Sequence, residues 1–600
     1  MNLDFTRIGR FLFYIFTFLL PVFYIPGSIV PIEINKTLFL LVSLSIIAVF
    51  FIALAIKEGK LKARERIVSG SVLGFVLIAS LSTLCFSSNL FNSFFGEHGG
   101  FDSLIAIISY GLVFFLAIGL NKKEEIRNVV LALISSLSII NIGFLGKALL
   151  GGEISIALGS LNILSILNVV GLVLLFFFFK EEENPSIKGL TGLAFFILGA
   201  GIVFINFNSA WFILAIASFL IFWGSLLKGN FKKINYILLG AAIISAVLFF
   251  LNPSFPFEKR ENIETLSFSN SLEIVNKEGI TALGFGASSF DEKFLEYNPS
   301  MLQDTIHFEA SSTILTIFND FGIIGLIIFL IPFIYAILKG FKRFLTKKQD
   351  SFEAMSFISL FILFVLLFFY AFDALLMSLL FLFLALFIAC SNKGKDINFK
   401  SMSPIKIFAA VAILSLALMS LIILNYLYFL NYSAENYYSL AIKEYKNDRE
   451  KAIEHLIKSE SLMEKDKTLI GLSQLYLLKA SDLYNQSRLL ETKEEDREVK
   501  KEECEKFMQL SEDKAKRATE INSNDYFAWL NLGNIYNNRR YLRDEDLADK
   551  AIEAYAKAAE LAPYTKEPYE ALIQVYSELG NVEKREEYLE KIRVIDPNYL

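Results

Sequence analysis

The chain has 600 residues, of which 54% are hydrophobic, with 60 Phe, 57 Lys+Arg against 62 Asp+Glu and a net charge of −5. Its mean hydropathy is +0.50, which excludes an ordinary soluble enzyme, whose apolar fraction stays near 45–50% even with Gly counted. The three cysteines, Cys85, Cys390 and Cys504, are spaced for neither a disulfide framework nor a zinc site, so no metal or cofactor is expected. Nor is a nucleic-acid partner.

The apolar residues are concentrated before about residue 430, in runs long enough for the ~20 residues that a helix needs to cross the hydrocarbon of a bilayer. Thirteen candidate spans lie near 8–26, 36–56, 68–86, 103–120, 128–146, 161–179, 189–206, 210–227, 234–251, 313–338, 353–370, 374–390 and 407–430. The first follows Arg7 and Arg10 without a small-residue cleavage site and reads as an uncleaved span. With the N-terminus in the cytoplasm, every second loop is basic, from Lys57–Arg66 through Lys122–Arg127 and Lys339–Lys348 to Lys393–Lys406. The inner segments then carry 24 Lys and Arg, against Lys36 and Lys147 in the short outer ones. The positive-inside rule therefore predicts that the long loop 252–311 and the tail 431–600 both face outward from the cytoplasmic membrane.

The spans contain costly polar groups. Asn162 and Asn168 read as glue between helices, Asp373 as a wet residue in an outer turn, and Asp320 as a carboxylate at the mouth of an aqueous cavity. Of three histidines, His455 falls in the tail and reads as surface, while His98 and His307 fall in outer loops, where an imidazole can take a proton from an attacking hydroxyl. In loop 252–311, Gly284 and Gly286 precede Ser288 and Ser289 and suggest a backbone nest for an anion. Lys259, Arg260, Lys277 and Lys293 lie near enough in sequence to meet a phosphate.

In the tail, Trp529, Leu532, Gly533 and Tyr536 fit the opening of a tetratricopeptide repeat, and Ala551, Tyr555, Ala558 and Pro563 fit its second helix after an insertion around Arg539 to Asp544. The next repeat runs from Tyr569 to Pro597, and a weaker copy from Ala434 to Asp466. Residues 485–515 read as a long solvated helix or an insertion. The expected fold is all-α: residues 1–430 a polytopic helical bundle of about thirteen spans, residues 431–600 an extracytoplasmic repeat solenoid. Such a solenoid is a stacking scaffold or, on the sharper reading, a surface for a protein partner.

Three stretches carry a family resemblance. Phe95-Gly96 to Ser103, Leu283-Gly284-Phe285-Gly286-Ala287-Ser288-Ser289-Phe290, and Ser311 through Asn319-Asp320-Phe321-Gly322-Ile323-Ile324-Gly325 together resemble elements of the O-antigen ligase and polymerase superfamily of polytopic glycosyltransferases. The resemblance implies transfer of a polyprenyl-diphosphate-linked glycan, at the outer membrane face, to a hydroxyl on lipid, glycan or protein. It implies no cofactor, and membrane lipid around the polyprenyl tail. The family's histidine falls on Ser311 here and its acid on Asp320, while its arginine has no match, with Arg260 or Lys277 as substitutes by position. The resulting expectation is His307, Glu309 and Asp320 as catalytic residues, and His98, Asp102, Arg260, Lys277, Gly284, Gly286 and Ser311 as substrate-binding ones. The alternative is a non-catalytic scaffold or carrier for cell-envelope glycan assembly that works through its repeats.

Overall fold

The computed structural model describes residues 5–25, 27–58, 60–62, 65–96, 100–120, 122–151, 159–227, 233–251, 276–277, 279, 281–297, 310–346, 349–391, 396–398, 403–488, 494–543, 547–597 and 599. They are helical throughout except for a two-stranded antiparallel ribbon, β1 (Lys60–Lys62) with β2 (Asp396–Asn398). The helices are α1 (Phe5–Val22), α2 (Ile32–Glu58), α3 (Arg66–Phe86), α4 (Leu90–Phe95), α5 (Leu104–Ala117), α6 (Lys123–Leu150), α7 (Leu161–Glu181), α8 (Pro185–Ile205), α9 (Asn208–Leu227) and α10 (Lys233–Leu251). A short α11 (Phe290–Tyr297) precedes α12 (Thr313–Leu345), α13 (Ser351–Leu366), α14 (Ala374–Ser391) and α15 (Pro404–Glu444). Then come α16 (Arg449–Leu462), α17 (Asp466–Ser487), α18 (Glu494–Ile521), α19 (Tyr526–Arg543), α20 (Ala548–Leu561), α21 (Lys566–Glu578) and α22 (Val582–Ile595).

Each of the thirteen segments expected to span falls on one of these helices. Among the described residues, nine are long and apolar enough to cross a membrane. Helices α5 and α13 are shorter, with 14 and 16 residues, and both are largely buried. Their residues join α7 and α14 in one apolar core. Aromatic rings fill it, with Phe381 of α14 meeting Tyr110, Phe329 and Phe333. Asn168 acts as glue: it exchanges two amide hydrogen bonds with Asn141 of α6, at 2.7 and 2.8 Å. Asp373 departs from its reading as a wet turn residue. It is 7% exposed and caps α14 by accepting from Leu376 N at 2.8 Å.

One end of the bundle gathers the basic loops. Arg10 pairs with Glu125 at 2.9 Å, Lys123 with Asp350 at 3.1 Å and Arg127 with Glu182 at 2.6 Å. Lys339 contacts Glu65, and Arg343 contacts Glu353. The ribbon that joins the loop after α2 to the loop after α14 closes the same end.

At the opposite end, α15 runs for 41 residues without a break, so an apolar helix passes directly into the first helix of the tail. Its lower part touches the bundle mainly through α2, where Asn425 Nδ2 donates to Ser45 Oγ at 2.7 Å. Helix pairs α19–α20 and α21–α22 match the two repeats read from sequence. Gly533 lets Tyr555 lie against α19, since a β-carbon there would meet the ring at 2.5 Å. The expected insertion at Arg539 lengthens α19 to Arg543. The segment expected to be a long solvated helix or an insertion is a long helix, exposed or half-buried over residues 494–503 and buried along one face beyond them. Helix α18 lies along α17 with Cys504, Met508, Ala515 and Ala518 buried, because apolar residues recur at helical spacing between its charges. His455 is half-buried, stacked on Tyr437.

Candidate active site

The site begins with a broken helix. In α12, Gly322 adopts φ 63° and ψ −169°, so the helix is two pieces across a kink. In a continuous helix, Ile323 N and Ile324 N would donate to the carbonyls of Asn319 and Asp320, four residues back. Here they donate instead to Thr281 O and Ala282 O, both at 3.1 Å. The two released carbonyls accept from Phe285 N at 3.3 Å and Gly286 N at 2.9 Å. A stretch of the outer loop is thus threaded into the hydrogen-bond ladder of the helix, and the broken backbone keeps partners where water is scarce. The threading needs glycine. A β-carbon on Gly284 would lie 2.2 Å from Asp320 O, and one on Gly322 would lie 2.6 Å from Ala282 C.

Helix α3 supplies the floor. Ser82 Oγ donates to Leu283 O at 2.6 Å and to Asp320 O at 2.9 Å. Ala287 N donates to Thr83 Oγ1 at 3.2 Å. These bonds correct the reading of Gly284 and Gly286 as an anion nest, because the N–H groups of Phe285, Gly286 and Ala287 are engaged inside the protein. The glycines allow close approach of backbone to backbone rather than of backbone to ligand.

Beyond the lock, two hydroxyls meet two carboxylates. Ser288 has φ 51°, a left-handed conformation that turns its Oγ to donate to Asp102 Oδ1 at 2.9 Å. Ser289 Oγ donates to Asp320 Oδ1 at 3.1 Å. Asn319 Nδ2 donates to Ser289 Oγ at 3.1 Å and to Asp320 Oδ1 at 3.0 Å. The Asp102 and Asp320 carboxyls are near enough to interact electrostatically, and neither Oδ2 has a hydrogen-bond partner among the described residues. Burial pushes the Asp102 carboxyl above the usual carboxylate range. Asp320 is 0% exposed and Asp102 3%, so Asp320 does not stand at a cavity mouth. It closes the base of the site, under Ser289.

Of the expected site residues, the structure therefore brings together Asp102, Asp320, Gly284 and Gly286. Ser311 is half-buried, next to Ser312, which caps α12 by accepting from Leu315 N at 3.4 Å. Lys277 is exposed. His98, Arg260, His307 and Glu309 lie outside the described residues. Sequence reasoning missed Ser82 and Thr83, which look like ordinary hydroxyls late in an apolar span. Ser288, Ser289 and Asn319 were visible as motif residues, but nothing in their spacing pointed at the two carboxylates.

A groove of about 670 Å³ opens between α9, α10 and α13, lined by Phe212, Ala215, Ala242, Phe249, Phe361 and Val365 among other apolar side chains. Phe212 also packs on Phe369, beside Tyr370, whose carbonyl accepts from Thr313 N at 3.2 Å at the start of α12.

No protein-family model matches the chain, and no curated protein matches it. Among solved structures, it is similar to the crystal structure of yeast Tom70, with 10% identity over 77% of this chain and 95% of that one, at a TM-score of 0.16. An overlap that loose carries no argument about fold or activity.

Proposed function

We propose that the chain transfers a polyprenyl-diphosphate-linked oligo- or polysaccharide to an acceptor hydroxyl at the outer face of the cytoplasmic membrane, as an O-antigen ligase-like glycosyltransferase. One observation supports this above the others. The stretches that carry the resemblance, around Asp102, Gly284–Ser289 and Asn319–Gly322, are far apart in sequence and interlock around one pair of carboxyls.

In the reaction, the acceptor oxygen attacks the anomeric carbon, the bond from that carbon to the diphosphate oxygen breaks, and polyprenyl diphosphate leaves with the bonding electrons. The acceptor proton passes to a base, for which His307 is the candidate, with Glu309 beside it in sequence. Cations such as Arg260 and Lys277 stabilise the charge that builds on the leaving group. His98 lies in the same outer loop as Asp102. The groove beside α10 suits an isoprenoid chain, being lined by apolar side chains.

The test is an assay of purified protein with a polyprenyl-diphosphate glycan and candidate acceptors, reading release of glycan-free polyprenyl diphosphate together with a new glycosidic bond. His307→Ala and Asp320→Asn are expected to abolish transfer. Wild-type protein that binds the lipid-linked glycan and never releases polyprenyl diphosphate would overturn the reading. It would favour a non-catalytic carrier or scaffold working through its repeats, which the sealed carboxyl pair also fits.

A further inference from the structure

Helix α11 is gripped from two directions. Phe290 and Phe294 are 0% and 1% exposed, and pack with Ala310 and Leu315 at the start of α12. Leu295 belongs to this cluster too, and it also packs against the core of the C-terminal repeats, which includes Tyr526 and Leu530. Leu295 therefore links the cluster that seats α11 on the bundle to the core of the solenoid.

The same junction is fastened beside it. Ser88, after α3, contacts the Glu292 carboxylate, and burial holds that carboxyl above its usual range. Asp466, the first residue of α17, faces Glu292 across the junction. Lys465 lies over the Phe91 ring of α4 at 5.2 Å, donates to Asn431 Oδ1 at 2.6 Å and pairs with Glu435. Met463 packs with Val30 and Phe91.

Helix α11 is short, and its first residue directly follows Ser288 and Ser289, the two hydroxyls on the carboxyl pair. An eight-residue helix is too short to hold its own place in water, so its position comes from what it packs against. We propose that Leu295 is a positioning residue: the repeat domain pins α11 through it, and thereby holds Ser288 and Ser289 on Asp102 and Asp320. The repeats are then part of the site's framework rather than an appended module. The catalytic consequence rests on the glycosyl-transfer reading, whereas the mechanical claim stands apart from it.

The experiment is hydrogen–deuterium exchange on the full chain in detergent. Leu295→Asp is expected to speed amide exchange across residues 288–297 at least tenfold while the repeats keep their melting midpoint. Val594→Asp, an exposed site on the last helix, is expected to leave that exchange unchanged. If Leu295→Asp does not accumulate, Leu295→Ala is read the same way, with about a threefold rise expected. Exchange within error of wild type overturns the clamp whatever the activity, and so does equal acceleration by Val594→Asp. In the transfer assay, Leu295→Ala is expected to lower kcat about tenfold with little change in KM. Faster exchange with unaltered kcat overturns the positioning role and leaves the proposed function standing. Absence of transfer by wild-type protein removes the proposed function and leaves exchange to decide the clamp.

Discussion

A β-carbon at position 284 would sit 2.2 Å from the carbonyl oxygen of Asp320, at a backbone φ of 74°. Both the space and the dihedral forbid a side chain, so Gly284→Ala is expected to destabilise the chain by roughly 3–5 kcal/mol, the range of severe single substitutions, read as a collapse of the thermal midpoint. Asp102 behaves oppositely. Its Oδ1 accepts from Ser288, while its Oδ2 has no donor and its carboxyl lies within electrostatic reach of Asp320. Two carboxylates this near repel unless one is protonated. Asp102→Asn keeps the acceptor, replaces Oδ2 with an N–H donor and removes one charge. It is expected to raise stability by about 1 kcal/mol, the net worth of a new hydrogen bond, while abolishing transfer in the glycan assay. Ser288 adds a third test. Ser288→Ala and Ser288→Gly both lose the bond to Asp102, but only glycine relieves the left-handed φ, at ~1 kcal/mol. Glycine is therefore expected to melt above alanine.

At the scale of elements, the junction between α15 and the repeats depends on a buried pair, Lys465 with Glu435, whose side chains are 6% and 5% exposed. Glu435 also pairs with Lys467 at 2.9 Å, so removing its charge leaves both ammonium groups without that carboxylate. Glu435→Gln is therefore expected to cost roughly 3–5 kcal/mol, measured as an earlier unfolding transition of the repeats. Burial pushes the Lys465 amine down to about 8. Below that pH it is protonated in both folded and unfolded chains, and the cost of burying its charge is fully present. Between about 8 and its ordinary value of 10.5, the folded chain has released the proton and the unfolded chain has not. Stability from this group therefore rises with pH across that window. Comparing thermal midpoints of wild type and Lys465→Met from pH 7 to 10.5 tests it, with wild type gaining on the variant as pH rises.

For the whole molecule, the ion pairs Arg10–Glu125, Arg127–Glu182 and Arg343–Glu353 collect at one end. The site and the repeats meet at the other, through Leu295 and Lys465. If the basic end faces the cytoplasm, a tag after Leu600 is expected to be reached by an impermeant reagent in intact cells, and a cytosol-only signal would contradict the proposed sidedness. The groove between α9, α10 and α13 offers a test at the same scale. Filling it with Ala242→Trp is expected to raise KM for a long-chain polyprenyl donor several-fold and to leave a short-chain analogue unaffected.

Hydropathy and repeat spacing alone were enough for the helical class, the placement of thirteen apolar helices and the helix pairs α19–α20 and α21–α22, because each depends on residues within a turn or two of one another. Asp102 and Asp320 were each expected at the site from a resemblance, but their proximity was not legible, since it joins residues 218 positions apart. The threading of Thr281–Gly286 into the broken helix was also out of reach. Glycines read one motif at a time suggest a nest for a ligand, and only the packed chain reveals that Gly284 faces the backbone of Asp320 and Phe321, and Gly322 that of Thr281, Ala282 and Gly284. Burial is likewise collective. Asp373, Asp320 and the apolar face of α18 each look wet in sequence, and each is covered by an element from elsewhere in the chain.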